Sequence, residues 1–185
     1  MKNNFYFKRS VGNIYVKPSN ESPISSQIFY GEEFSILKKN NQWIKIKTNY
    51  DRYIGYIKND IFLASFDATH KIFKLKTQIF KKKKNKFIPI KRFIYFASRI
   101  MIQNQNGNFI EFEKNKWIKK DSIKKINHIE KNFTKIFRLF LETKYLWGGK
   151  TCNGIDCSAL LQIYFYYNNL FYPRDTKDQI KYCRK

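Results

Sequence analysis

The sequence predicts a multidomain chain in which two small all-β barrels are followed by a helical segment. Three observations predict it. Short apolar segments separated by turn residues run from Val11 to Leu63, a fainter copy of that pattern follows, and after Asn127 the hydrophobic period changes from that of strands to that of helices. The boundaries read from these changes are residues 8–63, 67–126 and 129–185.

In the first unit, Ile14–Val16 ends at the turn cluster Lys17-Pro18-Ser19-Asn20, Ile28–Tyr30 runs into Gly31, and Phe34–Leu37 ends in Lys38-Lys39-Asn40-Asn41. Trp43–Lys47 alternates, with Ile44 and Ile46 on one face and Lys45 and Lys47 on the other, and Tyr53–Ile57 closes the series. Trp43 reads as core. In the second unit, Ile72–Leu75, Ile79-Phe80, Phe87–Ile90, Phe93–Phe96 and Ile100–Ile102 lead to Asn106-Gly107, a strong hairpin signal. Trp117 repeats Tyr56 at an offset of 61 positions. Lys81–Lys84 reads as a solvated loop, since like charges find no core. In the third unit Ile129, Phe133, Ile136, Phe137 and Phe140 mark one face of an amphipathic helix. A second helix at 158–168 is apolar on nearly every side, and a third starts at Asp175. With so few residues to cover that second helix, 129–185 is expected to stay molten, to aggregate or to lean on the barrels.

The 185 residues are 43% hydrophobic and 18% aromatic, which excludes global disorder. The net charge of +23 could serve a polyanion, but only 7 of the 37 basic residues are Arg, and Lys, Asn, Ile, Phe and Tyr are the residues AT-rich codons specify. Codon bias is the preferred explanation, and neither nucleic acid nor membrane is expected as a partner. Cys152, Cys157 and Cys183 show no metal-ligand spacing, so no metal and no cofactor is expected. Without a signal peptide or an apolar run of spanning length the chain reads as cytoplasmic, the envelope remaining open.

The chemistry concentrates in Tyr145-Leu-Trp-Gly-Gly149 and Gly154-Ile-Asp156-Cys157-Ser158, followed by an apolar run. Asp156 is a favoured N-cap type, and Cys157 falls in the first helical turn. Unpaired N–H groups and the helix dipole favour negative charge there, hence the thiolate, the nucleophilic form.

These residues, with Pro173-Arg174 and Gln179, resemble the NlpC-type cysteine peptidases of bacterial cell-wall peptides; Ala159 stands where the family commonly has Gly. Residues 8–63 resemble a bacterial SH3-like domain. The resemblance implies two SH3-like barrels followed by the helical N-terminal half of a papain-like peptidase domain. It also implies an endopeptidase for peptidoglycan stem peptides (muropeptides), cutting between γ-D-glutamate and a diamino acid. Cys157 would be the nucleophile and Tyr145 would present its hydroxyl to the reaction centre. Asp156 and Ser158 would line the peptide groove, Asp156 facing the substrate's free amino terminus, and Tyr53 would wall the pocket from the first barrel. Arg174 would be a structural ion-pair partner. The family's catalytic His lies downstream of the nucleophile, and neither His70 nor His128 matches it, so the chain reads as an inactive, C-terminally truncated fragment. The alternative is a wall-peptide-binding module with a vestigial peptidase segment.

Overall fold

The computed structural model describes residues 4–184. The first unit is a six-stranded antiparallel sheet of β1 (Asn4–Tyr6), β2 (Val11–Tyr15), β3 (Ile24–Phe29), β4 (Glu33–Lys39), β5 (Trp43–Thr48) and β6 (Ile54–Lys58), in the order β1-β4-β5-β6-β2-β3. Alternation sets its faces: Ile44 and Ile46 are buried while Lys45 and Lys47 are not. Phe7, Ile14, Ile28, Phe34 and Ile57 complete that core. Trp43 is buried edge-on against Tyr15, with ring centroids 5.2 Å apart.

The second unit comprises β7 (His70–Ile72), β8 (Lys76–Lys83), β9 (Lys86–Tyr95), β10 (Arg99–Ile100), β11 (Asn104–Asn106), β12 (Phe109–Glu113), β13 (Lys116–Lys119) and β14 (Ile123–Lys125). These divide between a five-stranded sheet, β11-β12-β13-β8-β9, and a three-stranded sheet, β10-β7-β14. Gly107, with φ +55°, turns the β11–β12 hairpin. Lys81–Lys83 belong to β8, contrary to the loop reading. They pair with β9; Lys81 and Lys83 are exposed, and the Lys82 ammonium lies 5.7 Å from the Trp117 ring centroid.

The third unit holds α1 (Phe133–Leu139), the small hairpin β15 (Lys150–Thr151) and β16 (Gly154–Ile155), α2 (Cys157–Tyr167) and α3 (Thr176–Cys183). Helix α1 is shorter than its periodicity suggests. Asn168 holds the Glu130 backbone, accepting from its N–H at 2.8 Å and donating to its carbonyl at 3.1 Å, and Asn132 caps the helix at Lys135 N–H. Ile129 and Phe133 are left exposed.

The expectation of two barrels followed by a helical half-domain is therefore corrected. Among the described residues the molecule is mostly β, 42% strand against 16% helix, and the β-rich second unit is two separate sheets. Nor do the helices form a layer of their own. Ile163, Tyr166 and Tyr167 of α2 and Ile136 of α1 share one buried cluster with Phe29 at the end of β3 and Phe96 beyond β9. Phe96 stacks on Tyr167 at 4.8 Å and Tyr50 meets Tyr166 edge-on at 4.7 Å. The strands supply the cover that the helices cannot give each other. No helix among the described residues is long and apolar enough to cross a membrane.

Lys71 of β7 is buried in this junction, its ammonium donating to the Tyr167 carbonyl and lying 4.2 Å from the Tyr167 ring centroid. Burial, with the Arg99 charge adding, pushes its pKa down to about 8 from 10.5. Below about 8 the lysine is charged in both folded and unfolded chains, and the penalty of about 3 kcal/mol is fully present. Above it the unfolded chain holds the extra proton and stability rises with pH. Lys71→Met, which also loses a hydrogen bond of about 1 kcal/mol, is expected to stabilise by about 1–2 kcal/mol at neutral pH. Urea titrations should show that gain shrinking by pH 10, and a gain independent of pH would contradict it.

Candidate active site

The site is built where β16 gives way to α2. Asp156 has extended dihedrals, φ −97° and ψ 168°, and caps the helix by accepting from Ala159 N–H at 2.8 Å. Cys157 follows as the first helical residue and is exposed. The first-turn N–H groups have no backbone partner within the helix, and that of Ala159 is taken up by Asp156.

Asp156 does more than cap. Its Oδ1 also accepts from Ser158 Oγ at 3.0 Å and Arg174 Nη1 at 3.0 Å, while Oδ2 accepts from Gly148 N–H at 2.9 Å and Arg174 Nη2 at 2.6 Å. Burial raises its pKa, but the Arg174 fork, Ala159 N–H and the Ser158 hydroxyl outweigh burial and hold it below the usual carboxylate range. Arg174 also donates to Ser158 Oγ at 2.8 Å and, through Nε, to Ser26 Oγ of β3 at 2.9 Å. Gln179 ties α3 down by donating to the Ser158 and Pro173 carbonyls, both at 2.9 Å.

Strand β3 also holds the loop ahead of the thiol. Gln27 Oε1 accepts from Lys150 N–H at 2.8 Å, and the buried Lys150 ammonium lies 4.0 Å from Glu32, whose carboxyl burial pushes up despite that neighbour. Gly148 sits at φ +75°, and a Cβ there would come within 2.7 Å of the Ile24 carbonyl oxygen, so only glycine permits this approach.

A cavity of about 450 Å³ opens at Cys157. Tyr53, Ser25 and Val16 wall it from the first unit, and Tyr145 and Trp147 from the loop before α2. Arg174, Asp175 and Lys177 close it at the start of α3. All five residues singled out in the sequence, Cys157, Tyr145, Asp156, Ser158 and Tyr53, line it. Tyr53 donates its hydroxyl to the Ser25 carbonyl at 3.3 Å. Sequence reasoning missed Trp147, which is exposed at the cavity, and Asp175, which it took only as a helix start. The Asp175 carboxylate makes no capping bond to α3 and has no hydrogen-bond or ion-pair partner among the described residues; burial raises its pKa. Its position beside Arg174 in the Pro-Arg motif was the available signal.

Neither histidine lines the cavity: His70 is in β7, and His128 packs against the Tyr167 ring with centroids 6.3 Å apart. Among the described residues no group of three or more His, Cys, Asp or Glu could hold a metal ion.

The site has two parts: an exposed thiol at a helix start, braced by a buried carboxylate–guanidinium pair, and a small β unit that walls the cleft it faces. Comparison with family models gives both parts. Residues 142–185 match the NlpC/P60 family and residues 14–60 match the bacterial dipeptidyl-peptidase Sh3 domain. The NlpC/P60 match implies cysteine peptidase chemistry on peptidoglycan-derived substrates in general. No curated protein matches the chain in sequence. Among solved structures, an NlpC/P60 family protein from Bacillus cereus aligns at TM-score 0.79 with 13% identity, over 96% of this chain and 76% of that one, a likeness of fold. NlpC2 and NlpC1 from Trichomonas vaginalis align at TM-score 0.35 with 15% identity, over 97% and 94% of this chain and 71% and 66% of theirs. That score carries no argument.

Proposed function

We propose that the Cys157 cavity is the peptide site of an endopeptidase for peptidoglycan stem peptides, acting at the bond between γ-D-glutamate and a diamino acid. Residues 8–63 and 129–185 are the two units that form the cleft, and 67–126 buttresses the second. The observation that carries this reading is an exposed thiol on a helix N-terminus sharing one cavity with an unpaired carboxylate, Asp175, and a wall from the SH3-like unit.

The chemistry follows from these groups. The Cys157 thiolate adds to the peptide carbonyl; going on to the thioester requires a proton for the departing amine, and no imidazole among the described residues lines the cavity to give it. The Cys157 N–H faces the developing oxyanion, and the Tyr145 hydroxyl is the second donor at the cavity mouth. Asp156 and Ser158, being already saturated by Arg174, Gly148 and Ala159, hold the nucleophile turn rather than the substrate. The substrate's ammonium is taken instead by Asp175, the carboxylate with free acceptor capacity, with Tyr53 limiting the length of peptide beyond it.

Two measurements test this. Cys157 should react with iodoacetamide at least about tenfold faster than Cys152, whose thiol is half-buried and pushed up by burial. Calorimetry with L-Ala-γ-D-Glu-diamino-acid peptide should show binding that weakens about tenfold on N-acetylation or in Asp175→Asn. That binding should be lost as pH falls through the raised Asp175 pKa, because the ammonium partner requires the carboxylate. Equal affinity for the acetylated peptide would remove the end-recognition reading. Since no imidazole among the described residues lines the cavity, peptide turnover by the 185-residue chain alone is expected at background. The same observation favours a second reading, a peptide-binding module without turnover.

A further inference from the structure

We propose that the cleft between the first sheet and β9 is a second ligand site, one that takes a phosphate-bearing small molecule. The cleft encloses about 530 Å³, within the range of about 300–1,000 Å³ typical of small-molecule sites. None of the residues lining it lines the Cys157 cavity.

Five cations surround it: Lys8 and Arg9 ahead of β2, Lys91 and Arg92 on β9, and Lys116 on β13. The carboxylates near them are too few. Glu113 is shared between Lys116 at 2.9 Å and Lys8 at 3.5 Å. Arg9 reaches Asp60 through Nε alone, so its two terminal nitrogens have no partner among the described residues. Lys91 and Arg92 are exposed at the cleft and make no ion pair among the described residues. Like charges gathered without counter-charge repel, and a multiply charged anion relieves that cost.

Codon bias explains the excess of lysine, but it does not explain why two of the chain's seven arginines meet here. Guanidinium forks match the oxygen geometry of phosphate. Phe93 and Tyr95 of β9 also line the cleft, a composition that suits the organic part of a phosphate ester. The shared chemistry is therefore a phosphate or diphosphate group, supplied either as a free anion or as an ester.

The test is calorimetric titration of the 185-residue chain with inorganic pyrophosphate and with ADP at physiological ionic strength. Saturable one-to-one binding is expected. The double variant Lys91→Gln/Arg92→Gln should bind about tenfold or more weakly, whereas Lys38→Gln/Lys39→Gln, an equally exposed pair on β4, should bind as the parent does. Tighter binding of ADP identifies an ester as the ligand; equal binding identifies the free diphosphate. Cys157→Ala should leave both unchanged, which separates this site from the peptide site. Absence of saturable binding, or equal loss in the two double variants, would show only the diffuse field of a +23 chain and would overturn the proposal.

Discussion

Arg174→Met is expected to lower the unfolding free energy by about 3–5 kcal/mol, because it leaves Asp156 buried with a charge and no counter-charge. The loss should be strongly pH-dependent. In the parent chain the Asp156 pKa lies below its unfolded value, so its contribution is present above the ordinary carboxylate range and lost as pH falls through the lower, folded value. In the variant both Arg174 contributions are gone, the Ala159 N–H and the Ser158 hydroxyl still oppose burial, and the Asp156 pKa rises, so that lowering the pH costs the variant less than the parent. Guanidinium titrations of parent and variant at pH 7 and pH 5 would show the gap narrowing at the lower pH. Arg174→Lys, which keeps the charge but loses the two-pronged geometry and the Ser26 contact, should fall between them. A uniform loss at both pH values would mean that packing, not the ion pair, holds the turn at Cys157.

Ile163→Ala should cost about 2–5 kcal/mol, since Ile163 is fully buried and Leu/Ile→Ala changes in packed cores fall in that range. Because its cluster joins α1 and α2 to Phe29 and Phe96, the variant should lower the stability of the strands as well as the helices. A single unfolding transition is expected in both chains, with limited proteolysis releasing no resistant fragment that ends near residue 125. A protected 8–125 core with 129–185 digested away would show instead that the two parts fold separately. In the sequence, α2 reads as a helix with too little to cover it; the cover comes from aromatics more than 60 positions upstream, which no local pattern can connect to it.

Much of the candidate site was legible because it is local. Gly148-Gly149, Asp156-Cys157-Ser158 and Arg174 with Gln179 lie within 32 residues, and capping, turn geometry and a helix start are short-range rules. Legible too were most strands of the first unit, where polar-apolar alternation and Pro/Asn turns give the period directly. What those rules do not reach is how the pieces meet. By sequence Asp156 is a helix cap beside the thiol and Asp175 a helix start; that Arg174, Gly148 and Ala159 all donate to the Asp156 carboxylate while Asp175 makes no capping bond is seen only in the folded chain. The division of the second unit into two sheets, and the docking of β3 under the loop ahead of Cys157 through Ser26, Gln27 and Ile24, were likewise decided by tertiary structure. Local propensity sets which segments are strands, helices and caps; the saturation of a buried polar group depends on partners that are neighbours only once the chain has folded.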